Sequence, residues 1–206
     1  MKKRRKRKKI RKYKKRILIY CEGKTETYYF EGLRTSEQFR KKGAIDVQIL
    51  SPNQNDALSL VKKAHQKKQE EKNGGNPFDM VWVVFDKDHY TKHKEAFAKA
   101  KKEKIEISFS SISFEYWFLL HFEKIVKPFS SSDEVIKHIN DNHMQDYRKT
   151  NQHHYNRLKD KLDDALDNGQ WLRDQKKVDY HQVNGAIYKL NPYVTVDCMI
   201  NELLKM

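Results

Sequence analysis

Cysteine is nearly absent from this sequence. Cys21 and Cys198 are the only two. Two cysteines make no disulfide framework, and each reads as a small apolar residue, so a reducing cytoplasm is the expected compartment. Four prolines in 206 residues leave no Pro-rich linker, and no internal repeat is present. Seven glycines form neither a Walker A loop nor a G-x-G-x-x-G turn, so the common nucleotide-binding fingerprints are missing. No nucleophile-elbow motif supports a Ser-His or Cys-His enzyme. No apolar run approaches the length of a membrane span, and none follows the basic N-terminus at the length a secretory signal needs. Nine histidines raise the question of zinc. His153 and His154 are adjacent, so they face different sides of a helix. Neither C-x-x-C nor H-E-x-x-H accompanies them, and no zinc site is expected.

Charge is abundant but unevenly placed. The net charge is +15, and residues 2–16 hold thirteen Lys or Arg with no acid. The other residues carry 30 basic and 28 acidic side chains, close to neutrality. The basicity therefore belongs to an arm, residues 1–16, ahead of a single domain over 17–206. So dense a like-charge block does not fold alone and is either solvated or bound to a polyanion. Nucleic acid is the expected polyanion, because each neutralised phosphate releases counterion. Lys2, Lys3, Arg4, Arg5, Lys6, Arg7, Lys8, Lys9, Arg11 and Lys12 are its candidate contacts. The bland alternative is a solubilising arm. A membrane surface is disfavoured, since only Ile10 and Tyr13 offer apolar anchors.

Apolar runs at 17–21 and 79–85 read as buried strands. Ile45, Val47 and Ile49 alternate with polar residues as in a half-exposed strand, and Ile105, Ile107 and Phe109 suggest a fourth. Between them lie helices: one from Thr25 to about Arg40, one from Asn55 or Asp56, and one capped by Thr91. The order β-α-β-α-β-α-β predicts a parallel sheet with right-handed crossovers. From Phe114 onward the pattern is helical, with segments at 114–122, 133–141, 152–168 and 195–205. The expected fold is an α/β core over 17–123 with a helical part over 124–206.

Both buried strands end in acids. Glu22 follows the first, and Asp86 and Asp88 form a D-x-D after the third. In an open parallel sheet the residues past the strand C-termini line the ligand crevice. Three carboxylates meeting there repel one another unless a cation sits among them, most simply Mg2+ or Mn2+. The alternative is a set of ordinary turn and helix-entry acids. Glu26, four residues after Glu22, either faces the same site or complements its helix dipole. Lys24 and Lys87 either contact a substrate phosphate or offset the negative charge. Glu115, amid Phe114, Tyr116, Trp117 and Phe118, is either a base or supporting carboxylate, or half of a salt bridge to His121 or an Arg.

Five blocks in order, ILIYCEGKTETYYFEGL (17–33), DMVWVVFDKDH (79–89), FEYWFLLHFE (114–123), YRK (147–149) and NPYVTVDCMINELL (191–204), resemble the RloB-like (AbiLii-type) family, compact relatives of the Toprim domain. The resemblance implies a Toprim-like, four-stranded, mainly parallel sheet between helices. It implies that Glu22 is the acid/base, that Asp86 and Asp88 bind Mg2+, and that Glu26 and Glu115 occupy family-typical positions. Tyr147 and Lys149 then lie in a polar motif that faces substrate. Such proteins are associated with prokaryotic restriction and abortive-infection loci, often beside an ATPase, and Toprim relatives there are nucleases. The sequence departs from the family where Ser111 and Ile112 replace Asn-Pro before Phe114-Glu115. The expectation is a metal-dependent nuclease on RNA, tRNA included, or DNA, in phage defence, with a homo-oligomer or a partner ATPase as company. The rival is a non-catalytic nucleic-acid-binding or ATPase-docking subunit.

Overall fold

The computed structural model describes residues 14–41, 45–51, 56–87 and 92–206. Its five-stranded sheet has the order β2-β1-β3-β4-β5: β1 Lys15–Cys21, β2 Ile45–Leu50, β3 Met80–Asp86, β4 Glu106–Ser111 and β5 Tyr193–Val194. The first four strands run parallel, and β5 pairs antiparallel with the end of β4. Helices α1 (Lys24–Thr35), α2 (Glu37–Arg40), α3 (Ala57–Asn73) and α4 (His93–Glu103) connect the parallel strands. After β4 come α5 (Glu115–Leu119), α6 (Ser132–Asn142), α7 (His154–Leu158), α8 (Leu162–Gln175), α9 (Lys177–Gln182) and α10 (Val196–Lys205). Among the described residues no helix is long and apolar enough to cross a membrane.

Continuous apolar runs serve here because both faces of the sheet are covered. Ile17, Ile19, Cys21, Trp82 and Val84 point to one side, against α1 and the C-terminal helices. Leu18, Tyr20, Val81, Val83 and Phe85 point to the other, against α3 and α4. On the first side α1 lies so close to α7 that a Cβ on Gly32 would come within 2.4 Å of Tyr155 Cβ, so only glycine fits.

Several boundaries differ from the sequence reading. Lys15 and Arg16, assigned above to the arm, open β1. Arg16 is a structural residue: it pairs with Glu71 at 3.1 Å and Asp46 at 3.7 Å, bonds the Asn76 carbonyl and stacks on Phe78. Lys2 to Lys12 lie outside the described residues. The first helix is capped by Gly23, leaving Thr25 buried in its first turn, and it breaks at Ser36, whose hydroxyl caps α2 through Phe39 N–H. Asp56 caps α3 by accepting from Ser59 N–H at 2.7 Å. Thr91 lies outside the described residues, and Lys92 is the residue before α4. The expected 152–168 helix is α7, a 3-10 turn at Lys159–Lys161, and α8 running on to Gln175. The sheet has a fifth strand, too short for any sequence periodicity. Cys21 is buried and Cys198, read above as a small apolar residue, is exposed on α10; both are free thiols.

Candidate active site

Strand order reverses between β1 and β3, because β2 lies on one side of β1 and β4 lies beyond β3. Such a switch point opens a crevice at the strand C-termini. Glu22 leaves β1 there, its backbone N–H bonded to Val84 O at 3.0 Å, and Asp86 ends β3 beside it. Asp86 N–H donates to Glu22 Oε2 at 3.1 Å, which joins the two strand ends through a side chain. Asp88 lies outside the described residues.

Two more carboxylates reach this place. Glu26 sits one turn into α1, buried, with its Oε2 over Gly23 so closely that a Cβ there would lie 2.8 Å away. Glu115, also buried, begins α5 just past the end of β4. Tyr147 donates its hydroxyl to Glu115 Oε1 at 2.9 Å, and Lys149 Nζ stands 3.8 Å from the same oxygen. Among the described residues Glu115 pairs with Lys149 and not with His121 or an Arg. His121 is instead a core residue: its Nδ1 donates to Trp117 O, and its Nε2 accepts from Tyr29 OH at 3.1 Å. Burial lowers His121 to about 3, which keeps it neutral.

The acids influence one another electrostatically, although no three of Glu22, Glu26, Asp86 and Glu115 bring carboxylate oxygens within 4.8 Å of one another. Burial, then the charges of Glu115 and Glu22, push Glu26 up to about 8, with Lys149 opposing. Asp86 is raised well above the usual carboxylate range, first by burial and then by Glu26, Glu22 and Glu115. Asp86 Oδ1 is buried without a hydrogen-bond partner. Burial and the Glu115 charge likewise hold Tyr147 strongly in its neutral, donating form. The arrangement is an excess of buried oxygen and negative charge, with Lys149 as the nearby cation among the described residues. It suits a proton or a hard divalent cation.

The other sequence candidates divide. Lys87 turns toward β5 and donates to Leu190 O at 3.3 Å, and burial lowers its pKa. Lys24 is exposed at the start of α1. His154 escaped the sequence reading as a contributor. It stacks on Tyr147 at 4.5 Å and 19° and donates to Arg148 O at 2.7 Å, fixing the loop that delivers Tyr147 and Lys149. Adjacency to His153 drew attention to it only as a zinc ligand.

The family model of RloB-like protein matches residues 17–203. The chain belongs to the RloB-like family. The match starts two residues into β1, so the basic stretch before it and Lys15–Arg16 are outside the family region, while the other strands and every carboxylate described above lie inside. No curated protein matches the chain.

Proposed function

We propose that this RloB-like chain is a Toprim-like nuclease dependent on Mg2+ or Mn2+, which hydrolyses phosphodiester bonds of RNA or DNA in the cytoplasm during anti-phage defence. One observation carries the reading: Glu22 and Asp86 meet at the switch point of the sheet, joined through the Asp86 N–H, with a buried Asp86 oxygen left unbonded and Glu26 and Glu115 near enough to raise Asp86. An all-oxygen donor set of high charge suits a small hard cation. Glu22 and Asp86 would hold it, together with Asp88 from the same D-x-D. A divalent ion at such a site supplies polarisation of the scissile phosphate and stabilisation of the leaving oxygen.

The chain's own groups have separate tasks. Glu22, oriented by the Asp86 N–H, accepts a proton from the attacking water or returns one to the leaving oxygen. Tyr147 holds Glu115 in place. Lys149, half exposed at the rim, offers a cation to an incoming phosphate. The arm gathers substrate electrostatically.

The density of the arm also supports a second reading, a nucleic-acid-binding or ATPase-docking subunit whose carboxylates are only structural. Asp86→Asn separates the two. The nuclease reading expects a folded variant that binds nucleic acid as the wild type does and cuts none in Mg2+. Equal cutting by Asp86→Asn would remove the cluster from catalysis.

A further inference from the structure

A second constellation lies outside the carboxylate crevice. Glu123 follows α5, His138 lies in α6, and His143 caps its C-terminus. Glu123 Oε1 is 2.7 Å from His138 Nε2 and 2.9 Å from His143 Nε2. Among the described residues these are the three His, Cys or acid groups that bring one ligand atom each within 4.8 Å of one another. We propose that Glu123, His138 and His143 form a binding site for a first-row transition cation, Zn2+ in the first instance.

The geometry is close to what such an ion requires. Tetrahedral Zn2+ with bonds of about 2.0–2.1 Å places its ligand atoms roughly 3.3 Å apart. The two Glu123 contacts would open by about half an ångström, a small side-chain adjustment. Both rings are already aimed. His143 stacks flat on Phe122 at 4.7 Å and 9°, and His138 meets Phe129 edge-on at 5.6 Å. The three side chains remain 17–32 % exposed, so water can complete the coordination. Two imidazoles and one carboxylate favour Zn2+, Co2+ or Ni2+ over Mg2+, the reverse of the all-oxygen crevice.

The site would act as a staple. It fastens the chain after α5 to the end of α6, and the loop that follows α6 carries Tyr147. Tyr147 N–H bonds both Asn140 Oδ1 and Met144 O at 2.9 Å, and its hydroxyl reaches Glu115. The cation would hold the loop that supplies Tyr147 and Lys149. Its binding requires no nuclease activity.

The test titrates the full-length protein with Co2+ alone and follows visible absorption. One equivalent should produce the d–d bands of a low-coordinate, nitrogen-ligated ion, displaced by Zn2+ and not by excess Mg2+. His138→Ala and His143→Ala should each weaken binding by at least about 10-fold, while the exposed control His181→Ala should not. Glu123→Gln, which preserves volume, serves if an alanine variant fails to fold, and should weaken binding likewise. Zn2+ should raise the melting temperature of the wild type by mass action and that of the folded variants much less. Absence of a saturable band, bands unchanged by the ligand substitutions, or displacement by Mg2+ would each overturn the assignment.

Discussion

Replacing Glu26 by Gln keeps its volume and removes its ionisation, so it measures how unfavourable the crowded charge is. In the unfolded chain this carboxyl loses its proton near 4.5, and in the folded chain it keeps it up to about 8. Between those values the folded state holds a proton that the unfolded state has released. Raising the pH through that window therefore weakens folding: stability is highest below the lower value, and the loss is complete above the upper one. At about 1.4 kcal/mol per tenfold, complete ionisation would cost ~5 kcal/mol, and the part spent between about pH 5 and 7 is ~2–3 kcal/mol. Urea unfolding of wild type and Glu26→Gln, without divalent ions, reads this directly. Groups remote from the crevice behave alike in both proteins and cancel in the difference, while Asp86, which Glu26 helps to raise, is relieved in the variant and adds to its gain. The variant should gain ~2 kcal/mol on the wild type between about pH 5 and 7. Parallel profiles would refute the crowding argument, because they would mean that Glu26 ionises without cost. Millimolar Mg2+ should stabilise the wild type near pH 8 more than the variant, since the cation replaces the proton.

Tyr147→Phe removes the donor to buried Glu115 and should cost ~1–3 kcal/mol in urea unfolding near neutral pH; no change would mean that the hydroxyl does not hold that carboxylate. Arg173 pairs with the fully buried Asp197 of α10, so Arg173→Ala leaves an unpaired acid inside and should cost ~3–5 kcal/mol. Deleting residues 2–13 should flatten the salt dependence of nucleic-acid binding with little change in melting temperature, while an unchanged salt slope would show that the arm is not the binding element.

The central strands were legible because both faces of the sheet are buried, which makes Ile17–Cys21 and Val81–Phe85 continuous apolar runs. Their ends were legible for the same reason: the first acid after each run had to emerge at the strand C-terminus. Glu115 stood out as a charge among aromatics, and it lies just past the end of β4, bonded to Tyr147. Less could be read where tertiary context decides. Ser110 and Ser111 disguise the last residues of β4, and β5 exists only because two residues pair with them. The break at Ser36 follows from a local cap within an otherwise helical pattern. Arg16 looked like the last cation of the arm until Asp46, Glu71 and Phe78 surrounded it. His138 and His143 are five apart, a spacing that meets only because α6 ends between them, and Glu123 comes from another segment.

The most direct test of the account is cleavage by the purified full-length protein of a panel of total tRNA, mRNA, plasmid and single-stranded DNA, with Mg2+ and with chelator. The account predicts that at least one nucleic acid is cut in Mg2+, that chelator stops cutting but leaves binding intact, and that Asp86→Asn behaves in Mg2+ as the wild type does in chelator. Binding with no cutting of any substrate in Mg2+ or Mn2+, or cutting that survives both chelator and Asp86→Asn, would contradict it.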